Sequence, residues 1–462
     1  MADSVSKPEI FILREHEKFS EEQKNKFQEL QIEFSPSDGF SVPKYLGLSS
    51  SCTSYYVGAS WLTKDKAVVV LPKLIDKNQN AENQNKETDL MQLFISALEY
   101  SPSAEYFSAF YGINYDEDEI ESDALSECLT PLLIIHLLKV LEKILKHGLK
   151  KDYVIREENL HSKIRGKIMI QQHLQKNVFN GRADKIYCRF QEYTADILEN
   201  RILKKALLFS KNYINRLESF SYHNSLYEIK EKILKYEAAF SEVGDEVEIQ
   251  KIKTFRQNKL FKNYGEGLKL AKMILQRFDY SLSNTEKSSA KVPPFWIDMS
   301  RLFEIYAYGK LEKAFPGQII FQAQGKGNTA CDFVHKGKGI ILDAKYKTRY
   351  QNSNAGILDD IREISGYARD NKILALFDKS VDKEKVPRCV IIYPELQQIE
   401  IENEDDKEIQ DEIKNQKKTF TNLKENSDIN DLLTKENKIP GFKEFYKISI
   451  ELPYKSEKQN LN

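Results

Sequence analysis

The sequence predicts a multidomain α+β protein, with a β-rich N-terminal domain over residues 1–125, a helical middle block over 126–290 and a C-terminal α/β domain over 291–462 built on a mixed sheet. Three observations carry this reading. Early in the chain short extended runs alternate with turn residues. From about residue 126 to 285 apolar residues recur at helical spacing, and after residue 294 the order becomes helix, three strands, helix, strand. A chain of 462 residues has room for roughly two to four domains, each with its own core.

The elements can be justified in order. "SCTSYYVGASWLT" and "KAVVVLPKL" flank Lys64-Asp65 and predict a hairpin. "NQNAENQNKE" (residues 78–87) is polar and of low complexity, which predicts a loop. "LTPLLIIHLLKVLEKIL", from Leu129, is interrupted by Lys139, Glu142 and Lys143, so it predicts a core helix and no bilayer span. In "ADILENRILKKALLFSKNYINRL" an apolar stripe runs through Ile197, Ile202, Leu203, Ala206 and Leu207. Gly166 sits among Lys163, Arg165 and Lys167; a solvated turn accounts for this loop, with phosphate contact as the alternative.

"NTEKSSAKVPP" (residues 284–294) has the composition of a linker. "DMSRLFEIYAYGKLEKAF" then predicts a helix with Asp298 as N-cap. The strands "QIIFQAQ", "ACDFVHKG" and "GIILDAKYK" follow, then the helix "LDDIREISGYARD" and the strand "CVIIYP". Residues 401–438 hold eleven acids against seven lysines and few apolar residues, which predicts a mobile insertion before a last strand, "FYKISIELP".

Composition excludes several classes. The net charge of −1 provides no global attraction to nucleic acid, so DNA contact requires local patches or a partner. The five cysteines are scattered and form no CxxC pair, which points to reduced thiols in a cytoplasm and away from zinc knuckles or disulfides. The N-terminus has no apolar signal region. No G-x-x-x-x-G-K-[ST] occurs, so the chain is not itself a P-loop GTPase.

One stretch does not fit a merely structural strand. Ile340-Ile341-Leu342 runs straight into Asp343-Ala344-Lys345, and alternation puts Asp343 and Lys345 on one face. Asp332 lies on the preceding strand, and a turn at 337–339 brings it beside Asp343. Glu304, on the helix side away from Leu302 and Phe303, is placed to join them. Clustered carboxylates with a lysine suit metal-assisted phosphodiester cleavage, because magnesium takes hard oxygen ligands and an ammonium offsets developing charge. A lone D-x-K is more often a surface ion pair. The spacing, the apolar strand and the flanking helices raise this case above that. His335 has no second His or Cys at ligand spacing and reads as a surface histidine.

The D…DAK order on such a strand set resembles the PD-(D/E)xK nuclease fold, with Cys331 ahead of the first acid. More specifically, "YVGASWLTKDKAVVVLPKL", "GLKKDYVIREENLHSKIRGKIMIQQHLQKN", "CRFQEYTADILENRILKKAL" and "DMSRLFEIYAYGKLEK" resemble the McrC family, the nuclease subunits of McrBC-type modification-dependent restriction systems. The resemblance implies a metal-dependent endodeoxyribonuclease that acts in defence against foreign DNA. It implies magnesium, with manganese as the alternative, held by Asp332, Asp343 and Glu304, and Lys345 as a catalytic group. It also implies docking on a McrB-type AAA+ GTPase hexamer, stimulation of GTP hydrolysis, modified double-stranded DNA as substrate, and no membrane. Two copies would pair to cut both strands. Many related nucleases carry Q-x-x-x-Y after the third strand; here Glu363 and Tyr367 stand there, which adds a negative charge near the site. The competing readings are a stand-alone RecB-like repair nuclease and a non-cleaving GTPase-activating adaptor.

Overall fold

The computed structural model describes residues 8–30, 44–73, 88–99, 110–114, 117–218, 224–247, 261–283, 291–351, 353–354, 356–382, 385–395 and 428–454. The loop read at 78–87, residues 284–290 of the linker and 401–427 of the acidic segment lie outside them. The chain divides into two compact units, residues 1–131 with 289–462, and residues 132–288.

The first unit begins with β1 (Glu9–Arg14) and α1 (Glu21–Glu29), the latter opened by a reciprocal Ser20–Gln23 capping box. The expected hairpin forms between β2 (Tyr56–Trp61) and β3 (Lys66–Leu71), which pair antiparallel, while β1 lies parallel to β3. Val68, Val69 and Val70 are buried because this strand is central and branched side chains pack well on a pleated surface. Then come α2 (Leu90–Glu99), β4 (Tyr111–Ile113) and β5 (Ile120–Glu121).

The helix read from Leu129 is part of α3 (Asp123–His147), and among the described residues no helix is long and apolar enough to cross a membrane. The second unit departs from the helical reading. It contains a three-stranded antiparallel sheet of β6 (Asp152–His161), β7 (Lys167–Ile168) and β8 (Lys185–Thr194), together with α4 (Ile170–Lys176). The charged, weakly alternating sequence of β6 hid it, since Arg156 and Glu157 serve cross-strand ion pairs with Glu192 and Arg189 and not an apolar face. In the basic loop Arg165 bonds Glu192 at 3.1 Å and lies 4.2 Å from the Phe190 ring centroid. Gly166 is required there: at φ +68 a Cβ would stand 2.4 Å from the Arg189 carbonyl oxygen.

Helices α5 (Leu198–Glu218), α6 (Asn224–Ala239) and α7 (Lys262–Ser283) complete this unit. Motif residues at the start of α5 form its polar lock. Fully buried Asn200 donates to the carbonyls of Lys150 (2.8 Å) and Ala195 (2.7 Å) and accepts from the Tyr264 hydroxyl at 2.8 Å. Asp196 takes both arms of Arg201 at 2.6 Å, and these bonds first of all hold its carboxyl down at about 2.

Beyond residue 290 the chain returns to the first unit. β9 (Lys291–Val292) pairs with β5, and β10 (Phe295–Asp298) inserts between β2 and β4, so the N-terminal sheet has the order β1-β3-β2-β10-β4. Asp298 ends β10 and N-caps α8 (Met299–Ala314), accepting from the Arg301 N–H at 3.0 Å. The second five-stranded sheet follows: β11 (Ile319–Gln324), β12 (Ala330–His335), β13 (Ile340–Ala344), β14 (Arg388–Glu395) and β15 (Phe445–Glu451), in that spatial order. It is mixed, antiparallel through β13 and parallel from β13 to β15. The parallel crossover carries α9 (Ile357–Tyr367) and α10 (Asn371–Leu374). Residues 428–438, expected within the mobile insertion, are instead packed in place, because Ile429 and Leu432 are buried and Asp428 caps the turn that holds them.

Gly58 is the tightest point of the N-terminal sheet: at φ +151 a Cβ would lie 2.0 Å from the Phe295 carbonyl oxygen. Gly58→Ala is expected to push β10 off β2 and to destabilise the chain by about 1–3 kcal/mol or more. A thermal melt with an unchanged midpoint would refute that reading.

Candidate active site

The site arises where β12 and β13 stop pairing. Gly339, at φ +62, closes the turn and donates its N–H to the His335 carbonyl at 3.0 Å. The hairpin then pairs His335 with Ile340, Val334 with Ile341 and Phe333 with Leu342. The next opposed pair is Asp332 and Asp343. There the ladder gives way, and the Ala344 N–H donates at 2.8 Å to a carboxylate oxygen of Asp332. On the other side of β12, Phe321 pairs with Phe333 and Ala323 with Cys331, leaving Gln322 level with Asp332. Gln322 has φ +49, a left-handed conformation that costs a non-glycine residue about 1–3 kcal/mol and that clusters at working sites. Gln322, Asp332 and Asp343 thus form one row across three strands.

Glu304 reaches this row from α8 and accepts from the Gln322 side-chain amide. It does not occupy a polar helix face: Leu302, Phe303, Glu304, Ile305 and Tyr306 are all buried, because α8 is enclosed nearly all round. Lys345 follows β13 with its backbone N–H on the Ile392 carbonyl at 2.8 Å, which prolongs the strand geometry. Its Nζ stands 2.7 Å from Asp343 Oδ2, an ion pair without hydrogen-bond alignment, and 2.8 Å from Glu363 Oε2. The Tyr367 hydroxyl donates to the other Glu363 oxygen at 3.1 Å. The four residues expected at the site are therefore brought together, and Glu363 and Tyr367 border them on the solvent side.

Electrostatics follow from the crowding. Asp343 is 2 % exposed, and burial before any other cause pushes its carboxyl up to about 6, against the pull of Lys345. Asp332 keeps part of its surface open, but protein surrounds it at longer range. Burial, then Asp343 and Glu304, raise it well above the carboxylate range. For Lys345, burial pulls downward, but the Asp343 and Glu363 carboxylates outweigh it and the ammonium is held protonated.

Sequence reading missed a second charged layer. Lys347 places its Nζ 2.7 and 2.8 Å from the two oxygens of buried Asp360, which also accepts from the Tyr350 hydroxyl. A signal was present: K-x-K continuing one strand face and D-x-x-E on the next helix match pair for pair. Gln322 had no such signal, since its backbone strain is invisible in sequence. His335 is corrected: it is 4 % exposed, its ring 5.3 Å from that of Phe315, because the strand end it occupies is covered by the residues after α8.

The donor set suits a hard divalent cation. Three crowded, partly desolvated carboxylates repel one another, and an ion among them would relieve that repulsion. Among the described residues no three acidic, His or Cys side chains already stand as a finished cage, as Asp343 is held by Lys345 and Glu304 by Gln322.

The family described as McrBC 5-methylcytosine restriction system component matches residues 52–360, a span that includes Glu304, Asp332, Asp343 and Lys345. The chain belongs to this family. No curated protein matches this McrBC component. Among solved structures it is similar to a half-complex of a tetradecameric assembly of Thermococcus gammatolerans McrB AAA+ hexamers with bound McrC, at 14 % identity and TM-score 0.35 over 98 % of this chain and 96 % of that one. It is also similar to a chain of the Thermococcus gammatolerans McrBC complex, at 13 % identity and TM-score 0.28 over 66 % of this chain and 88 % of that one.

Asp332→Asn tests the crowding without activity. A carboxyl raised on folding loses stability as pH rises from its unfolded value near 4 toward its folded one. The amide, which still accepts from Ala344, should therefore raise the metal-free melting temperature at neutral pH. Magnesium at a hundred-fold excess over Kd should stabilise the wild type by about 2.7 kcal/mol and the variant far less. A destabilised variant with an undiminished magnesium response would overturn the assignment.

Proposed function

We propose that this McrBC component is the DNA-cutting subunit of its restriction system, a magnesium-dependent endonuclease of PD-(D/E)xK type that works on a McrB-type AAA+ GTPase. The observation that carries the reading is the Asp332–Asp343 row at the splayed strand ends, with Glu304 and Lys345 converging on it. Asp332, Asp343 and Glu304 would hold magnesium, or manganese in its place. A bound ion would supply positive charge against the oxygens of the scissile phosphate. Asp343 and Glu363 hold Lys345 protonated and aimed, so its ammonium can orient water and offset charge on the phosphate as the bond breaks. Gln322 fixes the Glu304 carboxylate, and the Ala344 N–H fixes that of Asp332.

Partner docking has separate support in the second unit. Tyr153 and Tyr193 face each other across β6 and β8 with ring centroids 5.2 Å apart, and both are exposed, as is Ile155 beside them. An exposed aromatic and aliphatic sheet face of this kind marks an interaction surface. One chain carries one such carboxylate row, so cutting both strands of modified duplex DNA calls for two copies. The intact Asp332, Asp343 and Lys345 favour a cutting subunit over a GTPase-activating adaptor.

Asp343→Ala should abolish cleavage while stimulation of the partner's GTPase survives, because docking rests on other surfaces. Both activities would be assayed on one reconstituted complex; loss of both in a folded variant contradicts the division. Lys345→Ala should keep magnesium affinity within a few-fold while cleavage falls by about two to four orders of magnitude. Calorimetric titration decides: a loss of metal affinity equal to that of Asp343→Ala would refute its role as a non-ligand.

A further inference from the structure

Three successive residues beyond β13 are held from two sides. Lys345 and Lys347 are tied to α9, through Glu363 and Asp360. Tyr346, between them, points to the opposite face, and its hydroxyl donates at 2.8 Å to Glu15, the residue directly after β1. Both partners are buried, Glu15 at 3 % exposed and Tyr346 at 5 %. The same Glu15 oxygen accepts from the Lys73 backbone N–H at 2.9 Å, and the Glu15 N–H donates to the Leu71 carbonyl at 3.0 Å. Glu15 is thereby fixed in the frame of β1 and β3, and its carboxyl passes that frame on to Tyr346.

The Tyr346 ring makes the second half of the junction. The Lys73 ammonium lies 4.1 Å from its centroid, and the centroid of the Phe303 ring is 5.9 Å away on α8, one residue before Glu304. One side chain thus touches the N-terminal sheet and the helix that carries Glu304, and it belongs to the segment that carries Lys345. The junction is costly. Burial raises the Glu15 carboxyl against the pull of Lys73 and of its hydrogen bonds, and its second oxygen is buried with no hydrogen-bond partner among the described residues. Two apolar side chains would fill the same space at lower cost. They would lack direction: a bond from a buried hydroxyl to a buried carboxyl permits one register, where apolar packing tolerates small slips.

We infer that Glu15 and Tyr346 are positioning residues of the cleavage centre, through which the N-terminal sheet sets the places of Lys345 and Glu304. The inference rests on the nuclease reading for the identity of that centre. Neither residue touches the reacting atoms. The Glu15–Tyr346 bond fixes the backbone beside Lys345, and the Tyr346 ring steadies α8 at the turn that presents Glu304. A misplacement of about 1 Å in a catalytic group can cost on the order of a hundred-fold in rate, so one hydrogen bond outside the site has leverage on the reaction.

Tyr346→Phe keeps the ring, with its contacts to Phe303 and Lys73, and removes only the bond to Glu15. In the complex reconstituted with the partner GTPase, its kcat for DNA cleavage should fall about ten- to a hundred-fold while KM for DNA stays within about two-fold. Calorimetric titration of magnesium into the full chain should show affinity weakened by about ten-fold, because Glu304 rides on the helix that Tyr346 steadies. Glu15→Gln, whose amide oxygen still accepts from the hydroxyl, should keep kcat close to wild type. Asp428→Ala, which uncaps the turn at Ile429–Leu432 in the same unit, should lower the melting temperature at least as far as Tyr346→Phe and leave kcat and magnesium affinity unchanged. Wild-type kcat and magnesium affinity in Tyr346→Phe, equal losses in Tyr346→Phe and Asp428→Ala, or a loss in Glu15→Gln as large as in Tyr346→Phe would overturn the positioning role. The nuclease reading fails separately, if the wild-type complex leaves DNA uncut or the Asp343→Ala complex cuts it as well as wild type.

Discussion

A carboxylate with almost no access to water sits at the tip of a central strand, and much of its surroundings makes that tolerable. Asp343 is raised by burial, and its neighbours Asp332 and Glu304 are acids too. The local structure answers in several ways. The strands part at that level, so the Ala344 N–H is free to hold Asp332. Gln322 accepts a strained backbone that brings its amide to Glu304. Lys345 is pinned between Asp343 and Glu363. Each adjustment neutralises or fixes one acid and leaves the group unfinished in a way that a bound cation would complete.

The two sheets of the first unit are built as one piece around this centre. β10 completes the N-terminal sheet and passes without a loop into α8, the helix that carries Glu304. The Glu15–Tyr346 bond ties the end of β1 to the end of β13 across 331 residues of sequence. The Tyr306 hydroxyl donates to the Glu451 carbonyl at 2.9 Å, fastening α8 to β15. These ties make the position of the carboxylates depend on the N-terminal sheet as much as on their own.

The second unit shows how a motif can be conspicuous for structural reasons. Asp196, Asn200 and Arg201 all lie in the stretch that carries the family resemblance. Their side chains are spent on fastening the start of α5 to its surroundings. What stays exposed in this unit is different: a sheet face that includes Tyr153, Ile155 and Tyr193.

By itself the sequence determined the succession of helices and strands in the C-terminal region, the hairpin at 337–339, the Asp298 cap, and the placing of Asp332, Asp343 and Lys345 at one level of that hairpin. Those features are local: alternation, turn chemistry and capping act within a few residues. The sheet in the second unit escaped because β6 is held by cross-strand charge pairs whose partners lie some thirty residues away. Burial of His335, the membership of β10 in the N-terminal sheet, the strain at Gln322 and the Lys347–Asp360 layer were decided only in three dimensions. Each depends on which distant surface covers a side chain or which distant carboxylate it meets, and desolvation and Coulomb energy have no counterpart in local pattern.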